Sequence, residues 1–261
     1  MLSAKYDFVC SIGCDCGCAW HLIKSRLRLA SYPFDWIGTW TIGMTGVAEL
    51  VDRDFEGFLK MENLRKAANP PRGPHDDHEH DYYRDLVVGV DFVHDFLTDV
   101  PLEETYPAVR DKFDRRIDRF YRSLRKSRRT LLVYWTWRVY SKLEDILKAA
   151  EIFRAKFPEQ RVDLLVMRNA DVQGIHPEIL EDGVFAIDGP FHPAGGHPAY
   201  GDVEINRKVF SCIRLRGNRR RRLCRRMSRA WWRFLSLFIF NRVKRHDFRE
   251  RHSGKSSSEG N

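Results

Sequence analysis

"YDFVCSIGCDCGCAWHLIKSRLRL", residues Tyr6 to Leu29, holds four of the chain's six cysteines within nine positions. It opens on an apolar run, Tyr6 to Ile12, that stops at Gly13 and reads as a buried strand. Asp15 stands where a helix wants its N-cap, and Ala19, Leu22, Ile23 and Leu27 recur at helical spacing. Strand, glycine turn and capped helix form one βα unit. The alternation continues with strands over 86–93, 130–137, 162–169 and 184–188 and helices over 106–127 and 141–157, the second capped by Ser141. This pattern predicts an α/β layered sandwich with a mainly parallel central sheet. In such sheets ligands bind past the carboxyl ends of the strands. That rim would gather Gly13 to Cys18, His94 and Asp95, Trp135 to Arg138, Asn169, and Asp188 to His192.

The chain has 261 residues and a net charge of +9. Residues 213–261 carry 16 Lys and Arg against three acids, so a body of residues 1–212 holds 29 bases against 33 acids and is mildly acidic. The basicity therefore belongs to a C-terminal tail and not to the domain. No apolar run approaches the roughly 20 residues a spanning helix needs. The first residues lack a basic stretch followed by an apolar one, so the expected compartment is the cytoplasm, where cysteines are thiols.

Three chemistries compete for the cysteine cluster. A disulfide conflicts with a reducing compartment. Zinc prefers knuckles of two to four intervening residues, and Cys14, Cys16 and Cys18 are spaced too tightly. A thiolate nucleophile fits by position: Cys16 would open the helix, facing unpaired N–H groups and the positive end of the dipole. Asp15 opposes this unless its carboxylate is engaged in capping. Against all of these stands the reading of the four cysteines as small buried hydrophobes.

Here the residues meet a family. "SIGCDCGCAWHL", then "SYPFDWI", then "FVHDF" resembles an uncharacterised bacterial family of papain-like cysteine peptidases. Ser11-Ile12-Gly13 matches the family's opening, Cys16 falls on its cysteine, and Pro33-Phe34-Asp35-Trp36 is its second block. His94 and Asp95 match its His-Asp-Phe block, and residues 200–210 resemble its closing Gly-Asp block. Cys14, Cys18 and the tail are extra to the pattern. The resemblance implies a Cys-His site with Cys16 as nucleophile and His94 as base, Asp95 beside it, and a papain-like α+β fold as the alternative architecture. The function expected is cysteine-dependent acyl transfer by a peptidase or amidase. The alternatives are an acyltransferase acting on a cell-surface polysaccharide precursor and a catalytically silent module bound to a membrane surface.

A base needs a group to fix its tautomer, and Asp95, Asn169, Asp188 and Asp202 all qualify. Asp188 and His192 form a second acid/base pair in a Gly- and Pro-rich loop, and resemble the Asp-His block of serine esterases and acyltransferases. Asp35 reads as a buried, hydrogen-bonded structural acid that also suits substrate contact. "PHDDHEHDYY" (74–83) carries metal-capable side chains without a rigid scaffold and reads as a solvated loop. No cofactor and no metal are expected.

In the tail, Leu223, Met227, Trp231, Phe234 and Phe238 form an apolar stripe with arginines largely elsewhere on the wheel. As a helix, "AWWRFLSLFIF" (230–240) extends about 17 Å, short of a roughly 30 Å hydrocarbon core. The expected partner of 219–246 is therefore an anionic membrane at the inner face, and nucleic acid is disfavoured because it leaves the aromatics unused.

Overall fold

The computed structural model describes residues 5–67, 79–136, 141–193 and 200–216. The chain divides after Arg216 into two units, and the basic tail, residues 217–261, lies outside the described residues. The body begins with β1 (Lys5–Tyr6), β2 (Phe8–Ser11), α1 (Cys16–Lys24), β3 (Ile37–Gly38) and α2 (Gly43–Asp52). Then come β4 (Leu64–Lys66), β5 (His80–Asp85), β6 (Val90–Leu97), α3 (Leu102–Arg125), β7 (Arg129–Thr136) and α4 (Leu143–Lys156). It ends with β8 (Arg161–Asn169), β9 (His176–Glu181), β10 (Val184–Gly189), α5 (Val203–Cys212) and β11 (Arg214–Leu215).

The expected α/β architecture is present. The central sheet has the order β2-β7-β8-β10-β9. β2, β7, β8 and β10 run parallel, and only β9 is antiparallel. Interior parallel strands are apolar on both sides, and β7 is buried from Thr130 to Thr136. Phe8, Cys10, Leu132, Tyr134 and Leu164 face one core, shared with Val47 and Leu50 of α2, Phe113 and Phe120 of α3, and Phe153 of α4. Val9, Val133, Trp135, Leu165 and Ile187 face the other, shared with Cys18 and Leu22 of α1 and with Val209 and Phe210 of α5. Arg214 and Leu215 pair with Lys5 and Tyr6, and Ile213 is buried, so the body continues past Cys212.

A second, antiparallel sheet, β3-β6-β5-β4, is where the sequence reading departs most from the structure. The strand expected over 86–93 is a turn followed by β6. Asp85 accepts hydrogen bonds from Val87 N at 3.1 Å and Val88 N at 3.0 Å, and Gly89 takes φ +77°. Leu86 and Val87 are therefore apolar residues of an exposed turn. Of the stretch expected to be loop, 74–78 lies outside the described residues and 80–83 opens β5, where buried Asp81 meets Lys66 Nζ at 2.6 Å. α3 begins at Leu102, ahead of the expected Tyr106, with Glu103 and Glu104 at its positive end and Arg122 and Arg125 at its negative end. Lys142, not Ser141, occupies the cap of α4, and it makes no side-chain capping bond.

His21 seals α1 against α5. Its ring stacks on Phe210 at 5.5 Å, and its Nε2 lies 2.8 Å from the Tyr200 carbonyl, to which the neutral imidazole donates. Burial pushes the imidazole down to about 4, with the Tyr200 bond working in the opposite direction. The unfolded chain therefore takes up this proton near pH 6.5 and the folded chain only near 4. The stability involved is complete above about pH 6.5 and drains away as pH falls to about 4, to a limit of about 3 kcal/mol. Urea midpoints should fall more steeply across that window in the wild type than in His21→Gln. Parallel profiles would contradict this assignment.

Candidate active site

β2 leaves the central sheet through a turn fixed almost entirely by backbone. Trp135 N donates to Gly13 O at 3.1 Å, Cys14 N donates to Trp135 O at 3.0 Å, and Thr39 N donates to Cys14 O at 2.7 Å. Gly13 takes φ +126°, open essentially to glycine alone, and an added Cβ there would meet the Thr39 hydroxyl and lie 3.1 Å from the Tyr134 ring. Asp15 follows as the helix cap, and its Oδ1 accepts from Gly17 N at 2.9 Å. The carboxylate is thus committed to capping, as the sequence reading required, and Cys16 is the first residue of α1.

The cysteines separate by environment. Cys10, Cys14 and Cys18 are buried, Cys16 is half-buried and Cys212 is exposed. Burial pushes the Cys18 thiol up to about 12 and raises Cys10 well above its ordinary value. Cys18 Sγ donates to Val133 O at 3.5 Å. Among the described thiols, Cys16 alone combines solvent access with a helix N-terminus.

Around Cys16 the rim is aromatic. Trp20, one turn along α1, stacks on Tyr200 at 4.4 Å with an interplanar angle of 11°, and Lys24 Nζ lies 5.0 Å over the Trp20 ring. The Tyr200 phenol is raised by burial and, second, by the charge of Cys16. Trp135, whose backbone clasps the turn, faces His21 at 5.7 Å and His192 at 6.3 Å between ring centroids. Asn169 ends β8, and its Oδ1 accepts from His192 N at 2.7 Å. The rim thus joins Cys16, Asn169 and His192 from the sequence reading with Trp20 and Tyr200, which that reading passed over. Tyr200 lies within the Gly- and Pro-rich loop that the reading did single out.

Other candidates have different partners. His94 and Asp95 were expected past the end of a strand of the parallel sheet, but they lie inside β6 of the antiparallel sheet. Asp95 Oδ1 meets Lys112 Nζ of α3 at 2.6 Å. Asp188 forms a two-pronged pair with Arg168, 2.6 Å from Nε and 2.8 Å from Nη2. Asp202 caps α5, accepting from Glu204 N and Ile205 N, both at 2.9 Å. Asp35 accepts from Arg28 Nε and Tyr32 N, both at 2.7 Å. Its carboxyl is raised by burial against the pull of Arg28, which fits a structural acid. Among the described residues no group of three or more His, Cys, Asp or Glu is placed to hold a metal ion.

A thiol at the mouth of a parallel sheet, on the first turn of a capped helix, defines a class of cysteine-dependent site. Comparison with known proteins gives the family. Residues 7–160 match the model described as "Putative papain-like cysteine peptidase", and the chain belongs to that family. The matched segment contains Cys16, the Pro-Phe-Asp-Trp block, His94 and Asp95. It ends before Asn169, Asp188, His192 and Tyr200. "Uncharacterized protein R408" of Acanthamoeba polyphaga mimivirus is 27% identical over 166 residues, covering 60% of this chain and 69% of that protein. No solved structure matches.

These environments predict the order of alkylation. With substoichiometric iodoacetamide near neutral pH, peptide mapping should find Cys16 modified before Cys212, with Cys10, Cys14 and Cys18 unmodified in the folded chain. Equal labelling of Cys16 and Cys212 would remove the case for an activated thiol.

Proposed function

We propose that this protein is a cysteine-dependent acyl-transfer enzyme of the hydrolase type, a peptidase or amidase, with Cys16 as its nucleophile. The observation that carries the reading is the position of Cys16: it is accessible, first in its helix, and beside an acid already occupied as the cap. First-turn N–H groups and the positive end of α1 favour a thiolate and then the oxyanion of a tetrahedral intermediate. The thiolate attacks a carbonyl carbon, the bond to the leaving group breaks, and water later cleaves the thioester. An imidazole must take the thiol proton and pass it to the leaving group. The family block supplies His94 for this role, and the rim supplies His192.

Transfer to a sugar hydroxyl instead of water has one observation in its favour. The Trp20–Tyr200 stack beside Cys16 offers an amphipathic aromatic surface suited to a ring that is apolar on one face and polar at its edges.

p-Nitrophenyl acetate tests the proposal without knowledge of the natural acyl group. The wild type should release a stoichiometric burst of nitrophenol and gain one acetyl group on Cys16. Cys16→Ala should lose both and keep its thermal midpoint within a few degrees. A burst that survives the substitution would exclude Cys16 as nucleophile.

We further propose that residues 219–246 attach the enzyme to anionic lipid at the inner face of the membrane, since both the arginines and the tryptophans then have partners. The full chain should co-sediment with phosphatidylserine-containing vesicles at physiological salt and not with neutral ones, and Trp231→Ala with Trp232→Ala should weaken it several-fold. Unchanged sedimentation, or preference for duplex nucleic acid, would overturn this assignment.

A further inference from the structure

We propose that His192, and not His94, is the imidazole that pairs with Cys16. This rests on Cys16 being the nucleophile, as proposed above.

The first ground is the face of the central sheet. α1, which Cys16 opens, packs through Cys18 and Leu22 on the core of Trp135, Phe191 and Phe210, and His192 directly follows Phe191. β6, which carries His94, sends Phe92 and Phe96 into the core on the opposite face. The two cores lie on opposite faces of the central sheet, and although Cys14 joins the core of Phe92 and Phe96, the helix that Cys16 opens packs on the face of Phe191.

The second ground is connectivity around the thiol. Trp135 holds the Gly13–Cys14 turn with its backbone and faces the His192 ring with its indole. Tyr200, which stacks on Trp20 one turn along α1 from Cys16, precedes Gly201, where a Cβ would collide with the Phe191 carbonyl and lie 3.1 Å from His192 Cα. Gly201 is therefore needed for residues 200–201 to lie against residues 191–192. The Tyr200 side of the rim and the His192 side meet through that contact.

The third ground is preorganisation. Phe191 N donates to Gly189 O at 2.8 Å, and Asp202 N and Asn206 Nδ2 donate to Phe191 O at 2.8 and 3.1 Å. Asn169 Oδ1 receives His192 N. These bonds fix the backbone from which the His192 ring projects, on a rim where Asp188 is already committed to Arg168. Asn169 is a positioning residue in this account. Among the described residues, the other titratable and charged groups on the surrounding elements include Cys14 and Asp15 on the β2–α1 turn, Cys18, His21 and Lys24 on α1, Tyr200 and Asp202 ahead of α5, and Arg168 with its partners Asp188 and Glu178.

In the proposed step, His192 takes the proton from the Cys16 thiol and sulfur bonds to the acyl carbon. The bond to the leaving group then breaks, and the imidazolium returns the proton to that group. Deacylation runs the same exchange with water.

The test is the pH profile of Cys16 alkylation by iodoacetamide, with Cys212 as internal reference, in the full-length wild type, His192→Asn, His94→Asn and Asn169→Ala. The wild type should show an inflection below that of Cys212. His192→Asn should lose it, with the rate at pH 6.5 falling about tenfold or more as the paired thiolate is lost. Asn169→Ala should show a smaller shift in the same direction. His192→Ala covers a misfolded Asn variant, and added imidazole should partly restore its nitrophenyl acetate turnover. A wild-type profile in His192→Asn, or loss of the inflection in His94→Asn instead, would overturn the assignment of His192 and leave Cys16 standing. A wild-type Cys16 no faster than Cys212 at any pH would overturn both.

Discussion

The site depends on one backbone clasp. Trp135 of β7 exchanges hydrogen bonds with Gly13 and Cys14, and Thr39 takes the Cys14 carbonyl from the other side. Three bonds of ordinary strength, each worth about 1 kcal/mol net, fix where the chain leaves the sheet. Their larger effect is on direction. Once the turn is set, Asp15 falls at the cap and Cys16 at the first helical position. Gly13 is the residue that permits this, because its φ and its contact with Tyr134 leave no room for a side chain. The thiol's placement follows from the sheet edge and not from its neighbouring cysteines.

That view explains why four cysteines sit so close together without acting together. Cys10 lies within β2 and packs into one core, and Cys18 packs into the other. Cys14 is buried where the turn meets Thr39. Cys10 and Cys14 share one core and Cys18 lies in the other, and only Cys16, at the start of the helix, is half-buried. A cluster in sequence becomes three buried thiols and one beside solvent.

Much of this was legible beforehand because its signals are local. A strand ending at glycine, an Asp before a periodic helix and long apolar strands such as 130–137 declare themselves within a few residues. The Asp15 cap and the first-turn position of Cys16 came from spacing alone. What stayed hidden depends on partners far away in sequence. "LVVG" at 86–89 is apolar enough for a strand, yet the Asp85 carboxylate folds it into a turn. Periodicity finds strands and does not say which sheet they join, so His94 was assigned to the parallel rim although β6 belongs to the antiparallel sheet. Asp188 and Asp202 qualify from sequence as orienters of a base, and only the structure shows them engaged by Arg168 and by the N-terminus of α5. β9, with Pro177 and an exposed pattern, carries little strand signal of its own and exists because it pairs with β10.

The most direct measurement is a crystal structure of the protein after stoichiometric reaction with iodoacetamide. The account predicts a single adduct on Cys16 Sγ, its amide lying on the rim among Trp135, Tyr200 and His192, with the His192 imidazole within hydrogen-bond reach of sulfur. An adduct on a different cysteine, or a Cys16 adduct whose nearest imidazole is His94, would contradict it.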